Sequence, residues 1–271
     1  MKGPELDRSV TRSLGQFTWY SALVWLIPVV ALAVYLFTLT PTVGLIDSGE
    51  LAAGCHLLNI LHPTGYPLYT VMGRLASLVP VASVVQRVAG LSALLGAAAV
   101  GLLLLLLFRL KVGRVAAGVT ALVLAFSFPL WSVTVDVEVY ALTVVLALLI
   151  WLAVQAATDS ASPAFLTRTV ERKAATSGDR NLLVVAYLCG LALTNHMSAM
   201  SVVLGAGFVL MFERSKSLLR RLPWMALLFL LGLSPYLFLV LRARTNPLLA
   251  WGNPVNLERL IWHVTGKQYQ V

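Results

Sequence analysis

The chain alternates long apolar runs with short charged segments. Runs without a single Asp, Glu, Lys or Arg cover residues 19–40, 88–108, 115–131, 139–157, 181–194, 197–212 and 222–241. A helix of about 20 apolar residues crosses the hydrocarbon core of a bilayer, and in lipid a lone segment can satisfy its own backbone only as a helix. The pattern predicts an all-α polytopic membrane protein with about seven transmembrane helices. The pair 181–194 and 197–212 is short and is broken by Thr194-Asn195-His196. Such a break predicts either a tight helical hairpin or a re-entrant segment, because irregular backbone at membrane depth needs protein or water around it.

The polar segments assign sides. Fourteen of the twenty Lys and Arg fall in 1–18, 109–114, 158–180 and 213–221, which read as cytoplasmic by the positive-inside rule. Parity then places 41–87, 132–138, 195–196 and 242–271 outside. One membrane domain, 1–271, is expected. It has a cytoplasmic tail 1–18, a retained first helix 19–40 too long for a signal-peptide core, and a first extracytoplasmic loop 41–87. The remaining helices span 88–241, and an extracytoplasmic segment, 242–271, follows. Within 41–87 the mixed stretch Tyr66–Val79 predicts an interfacial amphipathic helix. The Ser-, Thr- and Ala-rich stretch 158–180 predicts a mobile linker.

Composition agrees with this picture. At 59% hydrophobic and 11% charged residues, the chain has too little polar surface to cover a soluble globule. The formal charge of +9 would suit nucleic acid, but its concentration in four loops makes it a topology signal, and no nucleic-acid partner is expected. Cys55 and Cys189 suggest neither a disulfide framework nor metal spacing.

Five constellations carry candidate chemistry. Asp47 and Glu50 follow the first run. Asp-x-x-Glu is a capping-box-like pattern, and the same two carboxylates on one helix face could serve as a general base toward a hydroxyl. His62 and Tyr66 flank a turn stiffened by Pro63, Gly65 and Pro67. Two histidines near two acids raise the question of a divalent metal, but no metal template fits, and no cofactor is expected. Asp136 and Glu138 alternate with valines before a run, either as acids at a helix start or as acids facing a cavity. Asn195 and His196 sit in the broken pair, as interhelix hydrogen-bonding groups or as site residues. Arg242 and Arg244 emerge on the side where basic residues are scarce, with Lys267 beyond them. They either snorkel to headgroups or hold a phosphate bidentately.

Several ordered blocks resemble a known membrane family. They are Pro41-Thr42-Val43, Asp47-Ser48-Gly49-Glu50-Leu51, His62-Pro63-Thr64-Gly65-Tyr66-Pro67-Leu68-Tyr69, Glu138-Val139-Tyr140-Ala141-Leu142 and Leu193-Thr194-Asn195-His196. The last is Arg242-Ala243-Arg244-Thr245-Asn246-Pro247 with Trp251-Gly252-Asn253-Pro254 and Trp262-His263-Val264-Thr265. The family, formerly of unknown function, is related to the plexin-type protein O-mannosyltransferases and is similar to the C-type glycosyltransferases. The resemblance implies a polyprenyl-phosphate-linked sugar donor (a mannose-like hexose), a protein or glycan hydroxyl acceptor and inversion at the anomeric carbon. It implies Asp47 as base with Glu50 beside it. His62, Tyr66, Asp136, Glu138, His196, Arg242, Arg244 and Lys267 are then the candidates for donor-phosphate and substrate binding. It also implies a C-terminal second module beyond this chain. Location would be the plasma membrane in a bacterium or the endoplasmic reticulum in a eukaryote. A lipid-linked sugar flippase, or a non-catalytic subunit working with a partner, are the alternative readings.

Overall fold

A computed structural model describes residues 8–44, 46–159 and 168–269, with backbone alone for 8–22, 168–177, Ser215 and Gln268. The described chain is helical. Its helices are α1 (Arg8–Phe37), α2 (Ser48–Leu57), α3 (Pro67–Ser77), α4 (Val84–Arg109), α5 (Arg114–Ala125) and α6 (Phe128–Thr134). There follow α7 (Tyr140–Thr158), α8 (Arg168–Leu193), α9 (Ala199–Glu213), α10 (Ser215–Gly232), α11 (Tyr236–Ala243) and α12 (Leu257–Val264). Among the described residues no strand forms; one isolated parallel bridge joins Ile60 to Ala250.

Helix α4 is the central post. It starts with a full capping box, in which the Ser83 hydroxyl accepts from the Gln86 amide and the Gln86 side chain accepts from the Ser83 amide. One side of α4 buries Ala93, Ala97, Val100 and Leu104 against Tyr35 of α1 and Ala117 and Ala121 of α5. Another side buries Leu95 and Ala99 in a larger core with Leu142, Leu146 and Ile150 of α7 and Leu182 and Val185 of α8. Small residues let α8 and α10 approach closely. A Cβ added to Gly190 would lie 2.1 Å from the Phe229 carbonyl oxygen, and one added to Gly232 would lie 2.3 Å from that of Tyr187. At the end of α8 nearer its N-terminus, the buried Asp179 carboxylate is gripped by Arg220, by Arg221 at 3.2 Å and by Arg214 at 3.6 Å.

The helices differ from the sequence pattern in several places. Among the described residues, α4 and α7 are the single helices long and apolar enough to cross a membrane; counting each bent pair as one span raises the number to four, against about seven expected. The 115–131 run breaks into α5 and α6 with a 55° bend, because Pro129 starts a new helix. The 222–241 run breaks into α10 and α11 with a 41° bend ahead of Pro235. Helix α1 reaches back to Arg8, so the tail is helical from there; residues 1–7 lie outside the described residues. The expected linker 158–180 is α8 from Arg168 onward, since Glu171-Arg172-Lys173-Ala174-Ala175 are good helix formers; 160–167 lie outside the described residues. The Thr194–Ser198 break between α8 and α9 falls where the pattern placed it.

Candidate active site

The long first loop is folded rather than slack. Thr40 N donates to the Val135 carbonyl at 2.8 Å, and the Ser48 hydroxyl donates to Asp136 Oδ1 at 2.7 Å. These two bonds pin the start of α2 against the stretch between α6 and α7. The expected interfacial helix is α3, which buries Tyr69, Thr70, Gly73 and Ser77 and packs against α2 and α4. The far end of the chain is drawn in by main-chain bonds: Ile60 N donates to Leu249 O at 2.9 Å and Trp251 N donates to Ile60 O at 3.2 Å.

Asp47 occupies the N-cap position of α2 yet makes no capping bond with its side chain. Glu50, in the first turn, does not reach back to it either. Both Glu50 oxygens go to His62: Oε1 accepts from the His62 backbone amide at 2.8 Å and Oε2 lies 3.1 Å from Nδ1. The other ring nitrogen, Nε2, lies 2.8 Å from the Tyr66 hydroxyl and 3.7 Å from Asp47 Oδ2. Glu50, His62 and Tyr66 therefore form a continuous hydrogen-bonded line, with Asp47 beside its centre. The Asp47 side chain is 45% exposed against 21% for Glu50, so Asp47 is the open carboxylate of the pair.

Charge follows geometry. The Glu50 hydrogen bond, opposed by burial, holds His62 above the usual histidine range, with further support from the charges of Glu50 and Asp47. Burial pushes Glu50 up, but the His62 side-chain and backbone hydrogen bonds outweigh it, so its carboxyl sits below the usual range. Glu138 is pushed up to about 7 by burial, then by the charges of Asp47 and Asp136. His196 is driven toward neutrality by burial and by the charge on His62. Its ring stacks on Tyr66 at 5.8 Å between centroids and meets Tyr140 at 4.9 Å.

Asp47, Glu50, His62, Tyr66, Asp136, Glu138 and His196 are thus gathered by contact or charge around one locus. Asn195 has a packing role: its amide donates to Val139 O and to Thr143 Oγ1, tying the α8–α9 break to the start of α7. Arg242 stands elsewhere. Its guanidinium donates to the Leu57 and Leu58 carbonyls at 2.9 and 2.7 Å. That is the C-terminal end of α2, roughly 15 Å of helix rise from Asp47, where cations suit the last carbonyls. Arg244 donates to Val255 O, and Lys267 lies over the Trp262 ring. Ser48, Tyr140 and His263 are contributors that the sequence did not single out as site residues. Ser48 lies inside the Asp47–Glu50 block, and Tyr140 and His263 each fall in a block of the resemblance, which was the signal available for them.

Asp47, Glu50 and His62 each offer a ligand atom within 4.8 Å of the others, a spacing that can admit a metal ion.

A family model described as the protein O-mannosyl-transferase TMEM260 N-terminal domain matches residues 47–219, well over half the chain. The chain belongs to this family. It is 32% identical over 250 residues to the mouse protein O-mannosyl-transferase TMEM260, a match covering 88% of this chain and 33% of the relative. It is 27% identical over 250 residues to a Dictyostelium discoideum protein of the same name, covering 87% of this chain and 29% of the relative. The chain therefore spans about a third of the length of the curated relatives it matches. No solved structure matches it. The matched region begins at Asp47 and contains every residue of the carboxylate–histidine locus.

Proposed function

We propose that this chain carries the catalytic module of a membrane glycosyltransferase. It transfers a mannose-like hexose from a polyprenyl-phosphate donor to a hydroxyl acceptor on the extracytoplasmic side, within a seven-helix C-type framework. The relatives' name, protein O-mannosyl-transferase, supports a protein hydroxyl as acceptor. One observation carries the assignment of the base: both Glu50 oxygens are committed to His62, which leaves Asp47 as the open carboxylate. Asp47 takes the proton from the acceptor hydroxyl. The acceptor oxygen forms its bond to the anomeric carbon while the bond from that carbon to the phosphate oxygen breaks, and the electron pair leaves on phosphate. One base and one displacement invert the anomeric centre; a retaining route would need a covalent carboxylate. Glu50 acts through His62 as a positioning residue, and His62, 3.7 Å from Asp47, orients it and adds positive charge for the developing phosphate when it carries its second proton.

Glu138 supports a second reading, with Glu138 as base, because its pKa of about 7 lies where a general base works best. Transfer of labelled sugar from the polyprenyl-phosphate donor to a hydroxyl peptide separates the two. Asp47→Asn is expected to lower the rate by ~10²-fold or more with the fold intact, and Glu138→Gln by far less. The reverse ranking assigns the base to Glu138. Sidedness is tested by cysteine accessibility: Ser48→Cys is expected to label from outside and Ser160→Cys from the cytoplasm.

A further inference from the structure

Six basic residues lie outside the four basic segments: Arg74, Arg87, Arg242, Arg244, Arg259 and Lys267. Four direct guanidinium donors at backbone carbonyls. Arg74 donates to His56, Arg87 to Ser77 and Val79, Arg242 to Leu57 and Leu58, and Arg244 to Val255. These four stitch loops together. Arg259 and Lys267 are different. Among the described residues neither side chain makes a hydrogen bond or an ion pair, and both line one cavity of about 180 Å³ with Gly252, Trp262 and His263.

That cavity is built as an anion site. The Lys267 ammonium sits 3.8 Å above the Trp262 ring centroid, which fixes its direction at the wall. Arg259 brings a planar fork of donors suited to phosphate. His263 is 1% exposed, and at most one of its ring nitrogens reaches a partner, the Leu61 carbonyl, so at least one is left without a hydrogen bond, a costly state for a buried polar group. Burial drives it to its neutral form, whose single N–H goes either to the Leu61 carbonyl or to a group in the cavity. A volume of this size admits one phosphate-sized group. The cavity also lies against the catalytic turn. A Cβ on Gly65, whose φ is +83°, would come within 2.8 Å of His263 Nε2, and the charge on His62 is felt at His263. The open carboxylate, next to His62, and the cavity, next to Gly65, thus both border the His62–Tyr66 turn.

We propose that Arg259, Lys267 and His263 form a binding site for a phosphate group. The assignment rests on the transferase reading for its source, the polyprenyl phosphate of the donor. It gives the leaving group to α12 and the segment after it instead of to Arg242 and Arg244. Purified full chain in nanodiscs, at low salt, is titrated with polyprenyl phosphate, with inorganic phosphate as competitor. Wild type is expected to bind the lipid and to lose it to inorganic phosphate. Arg259→Gln and Lys267→Gln are each expected to weaken binding about tenfold or more, with thermal unfolding unchanged because both residues are exposed. Arg259→Lys is expected to fall between. Arg242→Gln is expected to keep the affinity and lower the melting temperature instead. Phosphatidylglycerol as a second competitor separates sources: displacement only by polyprenyl phosphate and free phosphate supports a donor site, and equal displacement by phosphatidylglycerol overturns the donor assignment in favour of a general headgroup site. Unchanged affinity in both Gln variants overturns the site itself. Binding needs no turnover, so Asp47→Asn is expected to bind normally. If that variant still transfers sugar while Arg259→Gln loses the lipid, the choice of base fails and the phosphate site stands.

Discussion

Two charged regions of this molecule treat carboxylates in opposite ways. At the α8–α10 end, one buried acid, Asp179, is surrounded by three arginines. At the locus between α2 and α7, four acids (Asp47, Glu50, Asp136 and Glu138) have, among the described residues, a single basic side chain, His62, within 4.0 Å of any of them. The clamp is over-compensated and its acid is closed off by packing. The locus is under-compensated: burial and then the charges of Asp47 and Asp136 hold Glu138 near neutral titration, and the Glu50 hydrogen bond raises His62. A charge arrangement that only stabilises a fold pairs its acids; one kept unbalanced and partly open has unspent capacity for a proton or a ligand.

The strongest way to break this comparison is to neutralise one acid in each region. Asp179→Asn strands three guanidiniums around a buried amide and is expected to lower the melting temperature by on the order of 5–10 °C, with sugar transfer per folded molecule unchanged. Asp47→Asn is expected to do the opposite, costing transfer and leaving the melting temperature within about 2 °C or raising it, because it relieves repulsion on Glu138. Thermal scans of both variants beside the transfer assay decide; a large melting-temperature loss in Asp47→Asn would mean that the locus is structural.

A smaller effect is expected from Glu50→Gln. The amide can still hydrogen-bond His62, but the charge that raises the imidazole is gone. Transfer is expected to fall about tenfold, and the alkaline limb of its pH profile to move toward lower pH, as His62 loses its proton earlier. A loss without that movement would place the role of Glu50 in shape alone.

The smallest effect is in stability against pH. Both His62 and Glu138 titrate above their unfolded values, so their contribution is full at lower pH and is lost as pH rises through the folded values, about 7 for Glu138. His263 is depressed to about 4, so falling pH protonates the unfolded chain first and removes stability between about 6.5 and 4. The melting temperature is expected to stay level between about pH 4.5 and 6.5, where the Glu138 and His263 slopes offset each other, and to fall on either side. Glu138→Gln is expected to flatten the alkaline side, and an unchanged alkaline slope would show that Glu138 is not buried as described.

Much of this was legible in the chain. Uncharged runs of near-spanning length dictate helices in lipid, and the break at Thr194–His196 is where α8 stops, because polar side chains there cannot face hydrocarbon. The Asp47-Ser48-Gly49-Glu50 and His62–Tyr66 blocks were recognisable as candidate chemistry, since acids and histidines beside apolar runs are expensive without a use. Pattern alone could not settle what those side chains do. Asp-x-x-Glu reads equally as a cap, and only the turn that carries His62 back onto Glu50 decides against it. An arginine after an apolar run is the same letter whether it meets phosphate or carbonyl oxygen. Arg242 is committed by the end of α2, which is nearly two hundred residues earlier in the chain and adjacent only after folding. Arg259 and His263 carried no motif that marked them as ligands, and they acquire a common cavity because the Ile60–Ala250 bridge swings the last segment over the first loop. Hydrophobic period is a property of neighbours in sequence, so the sequence by itself determined the membrane class and the acid-bearing loops. Partnership is a property of neighbours in space, so only the tertiary structure decided which acid stays open and which cations stay unpaired.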